Sequence, residues 1–330
     1  MADYKGIKGF TIQSLSADPP APIVGQVWYN TTSTVLKGYT SSPGAWASGT
    51  AAPTATNQAG GAGITTAFLM WGGAAPGITS NSFKYDGTTW TATNSLPAAI
   101  GGTAGVGTQT AALGAGGYTP GTSPVYNNRT DEFDGTCWTA ANVDANKPSV
   151  GYMGLTGTQT AALSVAGYGS PPSYVNTCGE YDGTNWTTAN VFPASLGSVF
   201  ALGTQTAAVA LGGHPGYTTN GFDYDGTSWS AGDSINTGRS EGQSGGINTA
   251  GIIAGGANPT LQKVTEKYDG STWTEVGDMA TARSLIANGY TNISGATTSF
   301  ICATGASPGK TTAVEEWADP VLAIKTFTAS

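Results

Sequence analysis

One motif, Tyr-Asp-Gly-Thr/Ser-x-Trp with a single Phe in place of Tyr, recurs along the chain and restricts its fold more than any other feature. The copies begin at Tyr85, Phe133, Tyr181, Tyr224 and Tyr268, and the tryptophan follows at Trp90, Trp138, Trp186, Trp229 and Trp273. Successive copies lie 48, 48, 43 and 44 residues apart. A period in the forties is that of four short strands, the blade of a β-propeller. Asp-Gly between β-formers predicts a tight hairpin of type I′ at each copy, because both central residues then take positive φ.

A second element precedes each copy: a Gly/Thr turn, a short apolar strand and a pair of small residues. It reads GTQTAALGAGG from Gly107, GTQTAALSVAG from Gly157 and GTQTAAVALGG from Gly203. Looser versions start at Gly63, Gly246 and Gly295, which makes six copies. After the sixth, Trp317 takes the place of the repeat tyrosine, 49 residues beyond Tyr268. Each unit thus reads as strands a to d, with the GTQT turn between a and b and the Asp-Gly turn between c and d. The glycine pair ends strand b, where crowding leaves no room for a side chain. Tyr and Trp wedge between neighbouring blades, each able to bury roughly 150–250 Å².

Gly-Gly, a variable stretch, then an aromatic residue followed by Trp resembles the kelch repeat over roughly residues 60–320. The Asp-Gly and Gly-Thr-Gln-Thr turns, with the opening KGFTIQSLSADPPAPIVGQVWYNTTSTVLKGY, make the chain similar to kelch-repeat virion proteins of marine tailed phages. That resemblance implies a non-enzymatic structural protein of the particle: a fibre, tail or capsid-surface appendage, assembled in the host cytoplasm and located in the virion. It also implies docking to other virion proteins through residues 1–50 and contact with host surface glycan or protein.

The expected architecture is therefore all-β: a kelch-like propeller of six blades over residues 51–330, seven being the runner-up, preceded by an extended N-terminal arm in residues 1–50. The cluster Asp18-Pro19-Pro20-Ala21-Pro22 reads as arm or linker. Strand-like runs follow at 26–29 and 36–39, and then Trp46, which resembles the aromatic of one more strand d. The sixth unit lacks its own Trp, so the Trp46 strand and the C-terminal VLAIKTFTA compete to complete it.

Composition narrows the functional classes. With 12 Lys and Arg and a net charge of −8, the chain has no basic stripe for nucleic acid. Its apolar runs, such as Ala250–Ala254, fall short of the roughly 20 residues of a membrane helix. The first residues lack a secretory pattern, so synthesis and first folding are expected in a cytoplasm. Gly at 50 residues suits tight turns, and 9 Trp, 14 Tyr and 9 Phe supply core bulk. A homo-oligomer is compatible with all of this.

Candidate chemistry falls away residue by residue. Cys137, Cys178 and Cys302 occupy non-equivalent repeat positions, which suits neither a disulfide framework nor metal spacing. The repeat aspartates are explained by turn chemistry, and their match to the sialidase Asp-box is poor. Arg129, Arg239 and Arg283 are the only arginines, and the last two sit at equivalent positions. The single His214 supplies neither a copper-oxidase ligand set nor an extended triad, and no phosphate loop occurs. Asp131 with Glu132, and Glu315 with Glu316, are carboxylate pairs, but adjacent strand residues face opposite ways. Sequons at Asn128 and Asn185 are incidental to a Thr-rich chain. No catalytic residue, metal or cofactor is expected.

Recognition is expected instead on the loops between strands b and c, which differ from repeat to repeat on a constant scaffold. Tyr118, Tyr126, Tyr168, Tyr174, His214 and Tyr217 lie there, suited to stacking on sugar rings or packing against a protein. A lectin-like propeller for host glycan is the alternative reading, and a polysaccharide-degrading enzyme the weakest.

Overall fold

The computed structural model describes residues 12–41, 44–119, 121, 126–141, 149–169, 173–285, 288–290, 297–320 and 322–327. Residues 1–11 of the expected arm and Gly295, the expected start of the sixth Gly/Thr turn, lie outside them. The chain divides into two compact units, Met1–Ala45 with Asp319–Ser330, and Trp46–Ala318.

The larger unit repeats an antiparallel meander of four strands and is propeller-like. The first meander is Gly60–Ile64, Ala67–Trp71, Ser82–Tyr85 and Trp90–Thr93. The second is Ala104–Thr108, Ala111–Ala115, Thr130–Phe133 and Trp138–Ala140. Next come Gly154–Thr158, Ala161–Gly169, Ser173–Tyr181 and Trp186–Ala189. Phe200–Thr204, Ala207–Leu211, Gly221–Tyr224 and Trp229–Gly232 follow. Then stand Gln243–Ile247, Ala250–Ala254, Thr265–Tyr268 and Trp273–Glu275. In the last stretch Phe300–Ala303 pairs with Val314–Ala318, while Asn288–Tyr290 runs parallel to Gly60–Ala62 of the first meander.

Of the two segments competing for the last outer position, Ala45–Ser48 takes it, on the free edge of Val314–Ala318. Trp46 behaves there as a repeat tryptophan. Its Nε1 donates to Thr265 Oγ1 at 3.0 Å, as Trp138 donates to Ser82 and Trp186 to Thr130, in each case the first residue of the neighbouring sheet's third strand.

Second strands are buried at nearly every position, since sheets cover both faces, so small and aliphatic residues run on without alternating. Between sheets sit the tyrosine (Phe133 in the second repeat) and tryptophan of each hairpin, in ring contact across the strand pair; Tyr181 and Trp186 have ring centroids 5.1 Å apart. A fully buried ring such as Tyr181 contributes about 4–6 kcal/mol of gross burial at about 25 cal/mol/Å².

The turns have specific causes. Gln109 Nε2 bridges the carbonyls of Phe68 and Tyr85 in the preceding sheet, and Gln159 and Gln205 repeat the bridge one sheet further on. That contact accounts for the Gln of the GTQT motif. The Asp-Gly turns are not the expected two-residue type I′. Tyr85 pairs with Trp90 across a four-residue loop in which Gly87 has positive φ and Asp86 does not. Asp86 Oδ1 instead accepts the amides of Thr88 and Thr89, and the same cap recurs at Asp134, Asp182, Asp225 and Asp269. A carboxylate that satisfies two amides removes the need for a second left-handed residue.

The glycine pair serves as a junction between sheets. The glycine that ends each pair, preceded by Ala166 in the third repeat and Thr304 in the sixth, donates its N–H to the next repeat: Gly73 to Ile100, Gly117 to Val150, Gly167 to Leu196, Gly213 to Arg239, Gly256 to Arg283, and Gly305 back to Thr56 of the first. Gly117 has φ of +119°, and a Cβ there would lie 2.8 Å from the Gly101 carbonyl oxygen, so both conformation and approach demand glycine.

The smaller unit corrects the expected extended arm. Gln13–Leu15 pairs parallel with Val27–Asn30, which pairs with Val35–Ser41, and Leu322–Phe327 adds the far edge. The C-terminal strand therefore belongs to the smaller unit and not to the repeats expected over residues 51–330. Asp18, in the proline cluster, accepts from Trp28 Nε1 and Asn30 Nδ2 and pairs with Lys37 at 2.9 Å, which folds the proline-rich stretch onto the sheet.

Candidate ligand-binding site

Shortly before each inner strand, by two residues in five repeats and three in the last, the backbone turns left-handed: Gln58 (φ 61°), Gly102 (60°), Tyr152 (53°), Ser198 (54°), Glu241 (63°) and Leu285 (51°). The amide of each donates to the carbonyl of the one before it, Gly102 to Gln58, Tyr152 to Gly102, Ser198 to Tyr152, Glu241 to Ser198 and Leu285 to Glu241, at 2.6–3.3 Å. Gln58 then donates to Leu285 at 3.0 Å and completes the circuit. A side chain in this conformation costs about 1–2 kcal/mol, yet five of the six positions carry one. Gly102 is the exception, and a Cβ there would meet the rings of Tyr118 and Tyr152 at 3.1–3.2 Å.

The variable loops sit directly over this circuit because their first residues pair with the segment before it: Tyr118 with Gly101, His214 with Gly197. The residue after the glycine pair is Tyr118, Tyr168 and His214 in three consecutive repeats, and Ala257, Ala306 and Ala74 in the other three. Aromatic bulk is thereby confined to one side.

All six residues expected from the loops join a continuous arc on that side. Ring centroids are 6.2 Å apart from Tyr118 to Tyr126, 5.4 Å to Tyr168, 4.9 Å to Tyr174, 5.4 Å to His214 and 5.1 Å to Tyr217. Tyr152 extends the arc by stacking on Tyr118 at 6.0 Å, and Tyr118 Oη is 2.6 Å from Gln58 Oε1, to which it donates.

Arc and circuit enclose a cavity of about 220 Å³, lined by Tyr126, Tyr152, Tyr168, Tyr174 and His214 with Gln58, Ser198, Glu241 and Leu285. A narrower hollow of about 50 Å³ continues inward past the same circuit residues. Tyr118 and Tyr217 do not line the larger cavity; they back the rings that do. Burial pushes the Tyr126, Tyr152 and Tyr174 hydroxyls above their ordinary range, so they remain protonated donors. Burial likewise raises the Glu241 carboxyl, against the opposing pull of the Ser284 hydroxyl and His214.

Gln58, Tyr152, Ser198, Glu241 and Leu285 were not anticipated from sequence. Their signal was present: one repeat position that reads Gln, Gly, Tyr, Ser, Glu and Leu between recurrent neighbours. Without knowledge of its left-handed backbone, that position resembles any loop residue.

The other charged candidates are used structurally. Arg239 pairs with Glu266 and Arg283 with Glu315, all four side chains at most 4% exposed. Arg129 pairs with Asp131 at 2.6 Å, while Glu132 and Glu316 turn to the opposite face and accept from Tyr181 and Tyr85. Cys137 is exposed, Cys178 and Cys302 are buried, and burial lifts the Cys178 thiol to about 11.

No protein-family model and no curated protein sequence matches the chain. Among solved structures, the one described as "Structure of YjhT" superposes with a TM-score of 0.63 at 13% identity, covering 85% of this chain and 99% of that one. At that identity the likeness is one of fold.

Proposed function

We propose that the chain is a six-bladed, kelch-like propeller that recognises rather than transforms its ligand: a tailed-phage virion appendage whose tyrosine-lined cavity holds a saccharide of the host surface. The observation that carries this reading is the convergence of four tyrosines and His214 on one cavity of about 220 Å³. Ring faces with polar tips suit sugars, which present apolar C–H faces and hydroxyls together. The volume is below the roughly 300 Å³ at which drug-sized pockets begin, so one sugar ring is the matching size. Six blades are supported by the hydrogen-bond circuit through Gln58, Gly102, Tyr152, Ser198, Glu241 and Leu285. Recognition is favoured over hydrolysis because Glu241 is the one carboxylate among the described lining residues, where glycoside hydrolysis employs two.

Docking to the particle falls to the smaller unit. Ile23, Val24, Leu322 and Phe327 are 72%, 58%, 52% and 45% exposed there, a set of apolar side chains suited to a protein neighbour.

Glycan-array binding by the full chain tests the recognition reading. Specific signal that disappears in Tyr174→Ala is expected; no signal for any glycan would overturn it. For docking, Val24→Asp is expected to lower incorporation into particles without altering array binding, and unchanged incorporation would count against this face.

A further inference from the structure

Glu241 is placed where a carboxylate is expensive. It adopts φ of 63°, lines both hollows, and is half-buried among Tyr152, Tyr174 and His214. The obvious counter-charge, Arg239 two residues earlier, is turned away and committed to Glu266. Among the described residues, no Lys or Arg lines the larger cavity. The neighbouring Ser284 hydroxyl favours the ionised carboxylate, and a carboxylate has about four acceptor sites, which leaves capacity for a further donor. Strained backbone bearing a costly side chain is retained where the surroundings impose it, and such positions gather at ligand sites.

We propose that this cavity selects a ligand bearing a positively charged amino group, with the ammonium held against Glu241 and the neighbouring tyrosine rings. The inference deepens the saccharide reading, on which it rests for the identity of the ligand as an amino sugar. Tyrosine rings attract cations through the negative potential of their faces, and the attraction grows in a desolvated site. A carboxylate in the same wall adds a charge-assisted hydrogen bond and repels acidic sugars. An amino sugar and a choline-type headgroup share this chemistry and differ in what surrounds the nitrogen.

Titration calorimetry of the full chain at neutral pH with glucosamine, N-acetylglucosamine, glucuronate and tetramethylammonium separates the outcomes. Glucosamine is expected to bind at least about tenfold tighter than N-acetylglucosamine, with glucuronate weakest. Glu241→Gln should abolish that preference, and Tyr168→Leu should weaken every ligand that binds. Equal affinity for glucosamine and N-acetylglucosamine would overturn the ammonium assignment and leave the saccharide reading standing. Tetramethylammonium binding with no sugar bound would support the ammonium site and overturn the saccharide reading. Absence of binding by all four ligands would overturn the ammonium assignment, and the saccharide reading would then stand or fall with the glycan array. Were Glu241→Gln not to fold, the comparison of glucosamine with N-acetylglucosamine on the native protein would still decide.

Discussion

The Tyr85 hydroxyl donates to Glu316 Oε1 at 2.7 Å, joining residues 231 positions apart. The contact belongs to a series: Tyr181 donates to Glu132 and Tyr224 to Glu180, each time to the residue just before the preceding repeat's aromatic. Where that residue is Lys84, the next aromatic is Phe133, which has no hydroxyl, and the lysine nitrogen lies 5.3 Å from its ring centroid. Where it is Lys267, the next aromatic is Trp317. Tyr268 varies the pattern by donating to Asp233.

Tyr85→Phe is therefore expected to lower stability by about 1.5–3 kcal/mol, the value of a hydrogen bond to a charged group. Adding Glu316→Lys should recover part of that loss by recreating the Lys84–Phe133 contact. Urea unfolding of both single variants and the double variant measures the coupling; purely additive losses would contradict it.

Arg239→Met should be far more harmful, by about 3–5 kcal/mol, because it strands the Glu266 carboxylate in a fully buried site. Pairing it with Glu266→Leu should restore only part, since the Asn236 amide then loses its acceptor at 2.7 Å. Thermal denaturation of the pair reads this directly. A single variant as stable as the native chain would show that the ion pair is unimportant.

The turn aspartates predict acid behaviour. The amide three residues on, and the one before it, hold each carboxyl below its ordinary 3.8, and Asp269 is taken down to about 2. For a depressed carboxyl the stabilisation is complete above the unfolded value and lost as pH falls towards the folded one. The urea midpoint should thus decline between about pH 4 and about pH 2, and Asp269→Asn should flatten part of that decline. A midpoint constant across the window would refute the assignment.

Glu241 runs in the opposite sense. Burial raises its carboxyl, so the ionised form is a burden that grows as pH rises above its ordinary 4.5. Glu241→Gln should melt higher than the native chain at neutral pH and lose that advantage near pH 4, an exchange of stability for binding. Equal melting temperatures throughout would remove this account of the residue.

Much of the fold was legible because it is written locally. The recurring Tyr-Asp-Gly and glycine-pair elements mark hairpins and sheet junctions within stretches of a dozen residues, where turn chemistry and strand burial act directly on adjacent side chains. Even the loop aromatics were visible, from Tyr118 to Tyr217. What the local pattern leaves open is settled by contacts between distant residues. Ala45–Ser48 joins the last sheet on the edge of Val314–Ala318, with Trp46 bonded across to Thr265 of the neighbouring sheet, whereas Leu322–Phe327 pairs with Val35–Ser41, and either segment alternates equally well in sequence. The circuit from Gln58 to Leu285 depends on left-handed backbone at residues that, Gly102 apart, have no intrinsic preference for it. Only the packing of successive repeats against one another compensates that strain, and so only the tertiary structure brings Glu241 and Tyr152 to the loop tyrosines.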